Sequence, residues 1–267
     1  MIHELRLFFV ALQFLTRLPS PRWVGFEPEW LNQSARHFPA VGLLVGVVAA
    51  LVLVAGSVVF TPAVAVGLSM AATLLLTGAF HEDGWADTCD ALGGGSSVGR
   101  ERALVIMKDS RIGTYGTVGL VLMLGLKAAT LVALPLVLAV PALLFAHTAS
   151  RAAAVALIRW LPYAGDVEHA KAKPLAQRIS RAGLVVAWAW VLLLCLLLCA
   201  AAWRWSEHAV WPSIALGLGL VVAAAVWCAR WFRLRLGGYT GDTLGATQQL
   251  SELLALLAWL GVSSARW

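Results

Sequence analysis

Long apolar runs alternate with short polar stretches along most of the chain. Each run is close to the roughly 20 residues that a helix needs to cross the hydrocarbon core of a bilayer. Pro62 follows the first run and Pro135 the third, so the chain turns sharply between neighbouring runs. The pattern predicts an all-α, polytopic integral membrane bundle of about seven transmembrane helices in a single domain, residues 1–267, with spans at 38–60, 62–80, 116–134, 139–158, 183–203, 211–229 and 244–262.

The first 17 residues have a different pattern, in which polar and apolar positions interleave. Apolar side chains recur at helical spacing, and Arg6, Gln13 and Arg17 fall between them. This arrangement predicts an N-terminal amphipathic helix that lies on the membrane surface. The apolar face would consist of Leu5, Phe8, Phe9, Leu12 and Leu15.

Composition agrees with a membrane location. The chain is 60% hydrophobic and 13% charged, with a mean hydropathy of +0.81, whereas about 25% of residues are charged in soluble domains. The net charge of +6 comes without any basic run interleaved with aromatic residues. We therefore expect membrane lipid, and no nucleic acid, among the partners.

Basic residues divide unevenly between the two sides of the predicted bundle. Alternation of seven spans places residues 1–37, 81–115, 159–182 and 230–243 on one side, and most of the 20 Lys and Arg residues lie there. Cytoplasmic loops of membrane proteins carry this excess. We expect a multi-pass protein of a bacterial (inner) cell membrane with these loops in the cytoplasm.

The most unusual stretch is acidic and lies between two apolar runs, at His81-Glu-Asp-Gly-Trp-Ala-Asp-Thr-Cys-Asp90. In a helix, Asp83, Asp87 and Asp90 stand at i, i+4 and i+7 and share a face. Carboxylates this close repel one another unless a cation lies between them, and oxygen ligands favour Mg²⁺. Glu82 is a weaker ligand candidate because it points away from that face. A solvated acidic helix is the plainer alternative.

A second polar stretch, Lys108-Asp-Ser-Arg-Ile-Gly113, follows the acidic one. Fixed cations beside a metal-binding cluster suit a diphosphate substrate, since Lys and Arg stabilise phosphate oxygens and the phosphate that leaves. Gly93, Gly94 and Gly113 would let the backbone approach phosphate closely.

These motifs resemble those of the cobalamin synthase family, the adenosylcobinamide-GDP ribazoletransferases. The resemblance rests on HEDGWADTCDALGGG (81–95) and IMKDSRIGTYG (106–116), and it extends to FLTRLP (14–19), FPAVG (38–42) and GGYTGDTLGA (237–246). It covers almost the whole chain. Three positions depart from the family pattern: Trp85 stands for a usual Leu, Cys89 for Ala and Ala91 for Gly.

The resemblance implies a Mg²⁺-dependent transferase that acts late in cobalamin biosynthesis. A ribose hydroxyl of α-ribazole or α-ribazole 5′-phosphate would attack adenosylcobinamide-GDP at the phosphate joined to its aminopropanol arm. GMP would leave, and the product would be adenosylcobalamin or its 5′-phosphate. Association into a homo-oligomer or with other cobamide-assembly enzymes stays open.

The resemblance also implies roles for individual residues. Asp83 and Asp87 would be catalytic, with Asp90 and Glu82 beside them as metal ligands, and Lys108 and Arg111 would bind phosphate oxygens and offset charge on GMP. His81, Gly93, Gly94, Asp109, Ser110 and Asp242 would complete the substrate-binding set. Asp242 could instead ligate the metal or cap the last helix, and the base could be an aspartate or His81.

Polar residues inside the predicted spans need partners because charge is costly in hydrocarbon. We expect Glu252 to pair with Lys127 or Arg151, near His147, either as a structural pair or lining a substrate cavity. The loop 160–182 is a candidate for nucleotide or corrinoid contacts through Asp166, Glu168, His169, Lys171 and Lys173.

Two other functions remain as alternatives. A CDP-alcohol phosphotransferase would require an Asp-x2-Asp-Gly-x2-Ala-Arg motif, which this chain does not have in that arrangement. A divalent-cation transporter would need acidic residues near the membrane midplane, whereas the acidic cluster lies at the predicted cytoplasmic edge.

Overall fold

A computed structural model describes residues 2–25, 27–165, 176–204 and 208–265. Within those ranges the regular elements are helices, and a single isolated β-bridge joins Tyr163 to Tyr239. The α-helices are α1 (Ile2–Leu15), α2 (Pro28–Ser34), α3 (Phe38–Val59), α4 (Pro62–Thr77), α5 (Phe80–Leu92), α6 (Arg100–Met107), α7 (Thr114–Ala133), α8 (Leu136–Trp160), α9 (Arg181–Arg204), α10 (Val210–Leu236) and α11 (Gly241–Ser264).

Helix α8 is the centre of the bundle and is buried along most of its length. It packs against α3, α9, α10 and α11. The many alanines of α8 have small side chains, so neighbouring helices can approach its backbone. Gly46 of α3 is so close to α8 that a Cβ at position 46 would lie 3.0 Å from the Cα of Leu144. Small residues of this kind let helices pack tightly where lipid removes the hydrophobic driving force between them.

Each of the seven predicted spans corresponds to a helix, but the count of seven membrane crossings is not confirmed. Five helical stretches are long and apolar enough to cross alone: Pro28–Val59, which joins α2, a 3-10 turn and α3, and the helices α7, α8, α9 and α10. The α4–α5 pair passes only when joined, which raises the number to at most six. Helix α11 falls short because Gln248, Gln249 and Glu252 interrupt its apolar sequence.

The predicted span at 62–80 ends early, at Thr77, and the chain then bends by 89° into α5. Gly78 and Ala79 make this corner with left-handed backbone angles (φ of 70° and 57°). Because α5 carries four acidic residues, we place it outside the membrane-spanning segments, at the edge of the bundle.

The N-terminal helix is present, but its buried face differs from the predicted one. Leu7, Val10 and Ala11 are buried together with Leu12 and Leu15, whereas Leu5 is 47% exposed. Helix α1 packs on α2 and α3. Contact with neighbouring helices therefore determines which face is covered, and the periodicity of the largest apolar residues does not.

Candidate active site

The acidic face of α5 forms as the spacing predicts. Asp83 is exposed, while Asp87 and Asp90 are half-buried on the same side of the helix. The glutamate at position 82 and Asp83 lie in the first turn of α5, where the helix dipole stabilises negative charge. The helix therefore presents three aspartates along one surface.

Asp90 joins α5 to the start of α7. Its Oδ2 accepts a hydrogen bond from the backbone N–H of Gly113 at 2.6 Å, and its Oδ1 accepts one from Gly116 at 2.8 Å. Gly113 is the N-cap residue of α7 and has no side chain to cap the helix, so Asp90 supplies the cap from another helix. Both glycines are required here, because a Cβ on either would collide with the Asp90 carboxylate.

Asp242 lies opposite the acidic face, in the first turn of α11. A Cβ at Gly84 of α5 would be 2.8 Å from the carbonyl oxygen of Asp242 and 2.9 Å from its Cα. The two helices can approach this closely only because position 84 is glycine. Asp242 thereby becomes a neighbour of Asp87, from a position more than 150 residues further along the chain.

Of the three roles predicted for Asp242, capping of the last helix is taken by another residue. Thr240 caps α11: its Oγ1 accepts from the backbone N–H of Thr243, and the Thr243 hydroxyl accepts from the N–H of Thr240. This reciprocal capping box satisfies the helix start. The remaining roles of Asp242, toward a metal or a substrate hydroxyl, stay predictions.

Electrostatic repulsion marks the site. Partial burial raises the pKa of Asp87 to about 7, and the neighbouring carboxylates of Asp242, Asp83 and Asp90 add to that increase. A carboxylate whose charge is disfavoured by three others gains most from a bound cation. These four oxygen-bearing side chains fit a hard divalent ion such as Mg²⁺.

The carboxylates do not form a preassembled cage. Within the part of the chain that the structure describes, no three His, Cys, Asp or Glu side chains stand close enough together to hold a metal ion. Mg²⁺ commonly binds through one or two carboxylates plus phosphate oxygens of a substrate. The arrangement therefore fits a metal that is completed by a bound diphosphate.

The basic loop after α6 is folded by its own ion pair. Arg111 donates through Nη2 to Asp109 Oδ2 at 2.6 Å and through Nε to Oδ1 at 3.0 Å, and this pair lowers the pKa of Asp109 to about 2. The Arg111 side chain is 86% exposed, and Lys108 and Ser110 are exposed as well. Since Gly113 is bound to Asp90, the loop is attached directly to the acidic helix.

Packing explains part of the glycine content of the turn after α5. A Cβ at Gly93 would lie 2.7 Å from the ring of Tyr115, so Tyr115 already occupies the space that a side chain at position 93 would need. Gly95 adopts a left-handed φ of 72° and has open space beside it. Arg235 of α10 holds the turn by donating to the carbonyls of Gly95 and Val98. The sequence motifs do not point to Arg235, although it lies in the basic last turn of α10.

Two residues of the acidic motif face the bundle instead. Glu82 accepts a hydrogen bond at Oε1 from Gln249 Nε2 at 2.9 Å, so it does point away from the aspartate face. His81 is 5% exposed, and its charged neighbours are Arg151, Glu252, Lys127 and His147. The structure therefore brings Asp83, Asp87, Asp90 and Asp242 together and separates His81 and Glu82 from them.

The intramembrane pair predicted for Glu252 is confirmed. Lys127 Nζ lies 2.7 Å from Glu252 Oε1, and His147 Nδ1 lies 2.9 Å from Oε2. Arg151 donates to the His147 carbonyl oxygen instead. Glu82, Lys127, His147 and Glu252 also line a small cavity, which α3 and α4 border as well.

The positions that depart from the family pattern are packing positions. Ala91 is fully buried, and a Cβ at Gly119 of α7 would lie 2.7 Å from Cys89 Sγ and 3.2 Å from Trp85 Nε1. The larger side chains at 85 and 89 therefore fit against a glycine on the neighbouring helix. None of the three carries charge into the site.

The charged positions of the 160–182 loop, Asp166, Glu168, His169, Lys171 and Lys173, lie outside the described residues. The chain on both sides of them is described. The Ala164 N–H donates to the Tyr239 carbonyl oxygen, and the Tyr239 hydroxyl donates to the Ala176 carbonyl oxygen. These flanks are therefore held beside the turn that leads to Asp242.

Comparison with known proteins gives a consistent result. The family model described as Cobalamin-5-phosphate synthase matches residues 7–260. A protein of Leptothrix cholodnii is 61% identical over 263 residues, which is 97% of each chain. Relatives from Albidiferax ferrireducens (45%, covering 93% of this chain and 95% of theirs) and Vibrio cholerae (43%, covering 97% and 94%) are also similar. All three are named adenosylcobinamide-GDP ribazoletransferase. No solved structure matches the chain.

Proposed function

Since the chain belongs to the cobalamin-5-phosphate synthase family, it is a multi-pass membrane transferase of final cobalamin assembly, and we propose that Mg²⁺ and the α5 aspartates support its reaction. Its substrates are adenosylcobinamide-GDP and a ribazole, as the names of its relatives indicate, and we propose that the ribazole is α-ribazole or α-ribazole 5′-phosphate. The observation that carries the proposed site is the convergence of three other carboxylates on Asp87, whose pKa rises to about 7.

Asp87, with Asp83 or Asp242 as a second ligand, would hold the metal ion together with phosphate oxygens of the substrate, and Asp90 lies beside them. Asp90 is a weaker ligand because both of its oxygens already accept backbone hydrogen bonds. When bound, Mg²⁺ would neutralise non-bridging oxygens of the diphosphate. The carboxylates by themselves repel a phosphate, so the same residues cannot bind the substrate directly without a cation.

The basic loop would bind the departing half of the substrate. Lys108 and Arg111 are exposed on a loop whose end is bound to Asp90, and they would contact phosphate oxygens of the GMP moiety. Arg111 meets Asp109 through Nε and Nη2, so its Nη1 faces away from that pair. Charge developing on the leaving phosphate is offset by these cations.

The reaction exchanges a phosphoanhydride bond of the diphosphate for a phosphoester bond to ribose. The ribose hydroxyl oxygen forms a bond to the phosphorus on the aminopropanol arm, the bond from that phosphorus to the GMP oxygen breaks, and the hydroxyl proton goes to a base. His81 is buried on the other side of α5, which favours an aspartate of the exposed face as the base.

The cytoplasmic location of the site is also a proposal. Exposed cations at Arg100, Arg102, Lys108 and Arg111 lie on the same end of the bundle as the acidic face, as the positive-inside rule predicts for cytoplasmic loops. Thiol labelling of Ser110→Cys from the cytoplasmic side of membrane vesicles, with Thr61→Cys at the α3–α4 turn labelled from the other side, tests this orientation.

The decisive experiment is cobamide formation by the purified protein in liposomes. The mixture contains adenosylcobinamide-GDP and α-ribazole 5′-phosphate, with Mg²⁺ or with a chelator. We expect product and GMP to appear together only with metal, and to disappear in Asp87→Asn. The matched control is Glu29→Gln, an exposed acid that pairs with Arg178 away from the α5 face.

Two outcomes would contradict the proposal. Full activity of Asp87→Asn, or full activity without a divalent ion, would remove the proposed metal site. A folded, lipid-supplied wild type without product would redirect the search to other diphosphate donors, beginning with CDP-alcohols, and then to ion-flux measurements.

A further inference from the structure

Helices α5 and α11 meet at a contact between glycines. A Cβ at Gly245 would lie 3.3 Å from the Cα of Gly84 and 3.1 Å from the carbonyl oxygen of His81. This contact constrains the distance between the two helices. It contains no side chains, however, that would resist rotation or sliding of α5 against α11. Other contacts must determine how α5 is rotated about its axis.

Asp90 constrains the C-terminal end of α5 through its two hydrogen bonds to the start of α7. A polar contact on the other side of the glycines constrains the N-terminal end. Gln249 Nε2 donates to Glu82 Oε1 at 2.9 Å, and Gln249 Oε1 accepts from Lys127 Nζ at 2.7 Å. A carboxamide is suited to this position because it has a donor for the carboxylate and an acceptor for the ammonium group. The three side chains form a continuous chain of hydrogen bonds from α7 through α11 to α5.

The far end of this chain is held firmly. Lys127 Nζ also donates to Glu252 Oε1 at 2.7 Å, and Lys127 and Glu252 are 4% and 6% exposed. Gln249 Nε2 donates in addition to Gln248 Oε1 at 2.9 Å. Hydrogen bonds among buried charged groups are strong and costly to break. Gln249 therefore has one orientation available, and Glu82 must meet it there.

The geometry of the two helices relates this contact to the aspartates. Gln249 and Asp242 are seven residues apart on α11, two helical turns, so both face α5. Glu82 adjoins Asp83 in sequence, so a rotation of α5 that separates Glu82 from Gln249 also moves the aspartates relative to Asp242. The orientation of the acidic face thus depends on a hydrogen bond made inside the bundle.

We propose that Glu82, Gln249 and Lys127 are positioning residues that orient the acidic face of α5 for its metal, and that Glu82 is not a metal ligand. This inference rests on the proposed function for the identity of the site. It differs from the expectation drawn from the acidic motif, in which Glu82 belongs to the ligand set.

A charge swap tests the inference. Gln249→Glu places two carboxylates in contact and removes the donor to Glu82, whereas Glu82→Gln keeps an acceptor for Gln249. In the double variant Glu82→Gln/Gln249→Glu, the new amide at 82 can donate to the new carboxylate at 249, which still accepts from Lys127. Ser69→Ala is the matched control, since Ser69 is buried beside the same cavity but donates to Ala49 of α3.

Metal binding is measured directly, by paramagnetic resonance titration of Mn²⁺ into each purified variant in the presence of GDP, which supplies the diphosphate oxygens. A Mn²⁺–GDP sample without protein is the reference. The Mg²⁺ concentration for half-maximal activity is measured beside it. We expect Gln249→Glu to weaken Mn²⁺ binding by roughly tenfold or more, the usual effect of losing a partner that orients ligands. We expect Glu82→Gln to weaken it by no more than about threefold and the double variant to recover most of the loss. Ser69→Ala should leave Mn²⁺ binding unchanged.

Several results would overturn the inference. A large loss of Mn²⁺ binding in Glu82→Gln without recovery in the double variant would make Glu82 a ligand. Loss of thermal stability in the Gln249→Glu protein with unchanged Mn²⁺ binding would make the contact merely structural. If Gln249→Glu does not fold, Glu82→Gln and Gln249→Met decide the same question. A wild type that binds Mn²⁺ but forms no product would contradict the proposed function and leave the positioning inference testable by binding alone.

Discussion

Asp87 and Asp90 are neighbours on one face of α5 but have different surroundings. Asp90 accepts two backbone hydrogen bonds from the start of α7, whereas Asp87 faces three other carboxylates. The first arrangement holds the Asp90 carboxylate in place, whereas the second raises the pKa of Asp87. Of these two residues, which look equivalent in the motif, we therefore expect Asp90 to have a structural role and Asp87 a chemical one.

Substitution of Asp90 should chiefly affect stability. Asp90→Ala leaves the N-terminus of α7 without its cap, and we expect a loss of about 1–2 kcal/mol, the usual cost of a removed cap. Thermal unfolding in detergent measures it. Asp87→Asn in the same assay should show no loss at neutral pH, because it removes a repelled charge. Equal destabilisation of both variants would contradict this division of roles.

The raised pKa of Asp87 predicts a pH dependence of the metal-free protein. A folded-state pKa of about 7 against an unfolded value of 3.8 means that the folded protein binds this proton more tightly. The contribution to stability is complete below pH 3.8 and is lost as the pH rises through about 7. Between pH 5 and 8, in the presence of a chelator, the melting temperature should therefore fall less steeply with pH for Asp87→Asn than for wild type. Equal slopes for the two proteins would contradict the raised pKa of Asp87.

At the scale of elements, close helix approach builds the site. Gly84 lets α5 contact the backbone of Asp242, and the corner at Gly78 and Ala79 turns α5 away from α4. The acidic face reaches α11 only through both features. The bend leaves the aspartates at the edge of the bundle, where a nucleotide substrate can approach them.

Adding one methyl group at Gly84 should disrupt this contact. In Gly84→Ala the new Cβ would lie 2.8 Å from the Asp242 carbonyl oxygen, so α5 and α11 must separate at a cost of about 1–3 kcal/mol. Activity and Mn²⁺ affinity should fall together with stability. The matched control is Gly67→Ala in helix α4, where nothing lies within 4 Å, and that variant should be neutral or slightly more stable.

At the scale of the whole molecule, a buried polar cluster connects three helices inside the bundle. Glu252 of α11 lies within hydrogen-bonding distance of both Lys127 of α7 and His147 of α8. Glu252, together with Gln248 and Gln249, makes α11 less apolar than its neighbours. Helices α7 and α9 leave most of their apolar surface exposed, as expected for helices that face lipid.

Substituting one partner of the buried ion pair should destabilise the protein more than substituting both. Lys127→Met leaves Glu252 without its closest cation, and we expect a loss of about 3–5 kcal/mol. The double variant Lys127→Met/Glu252→Gln should recover a large part of that loss in thermal unfolding. Additive effects of the two substitutions would show that the pair does not couple α7 to α11.

The sequence by itself determined the membrane class, the helical bundle, the family and the acidic face of α5. Run length, composition and the spacing of Asp83, Asp87 and Asp90 are local properties, and a helix converts spacing into a shared face regardless of its neighbours. The pairing of Glu252 with a basic residue also followed from the cost of charge in hydrocarbon. The exact number of crossings did not follow, because polar residues that pair inside the bundle lower the apolarity of a helix such as α11.

Only the tertiary structure decided which partner each face meets. Asp90 binds Gly113 and Gly116, Glu82 binds Gln249, and Thr240 caps the last helix in place of Asp242. Most of these contacts join different helices, some of them distant in sequence, and periodicity carries no information about which helices pack together. The close approach at Gly84 and the left-handed corner at Gly78 and Ala79 bring Asp242 to Asp87, and so assemble a site from residues more than 150 positions apart.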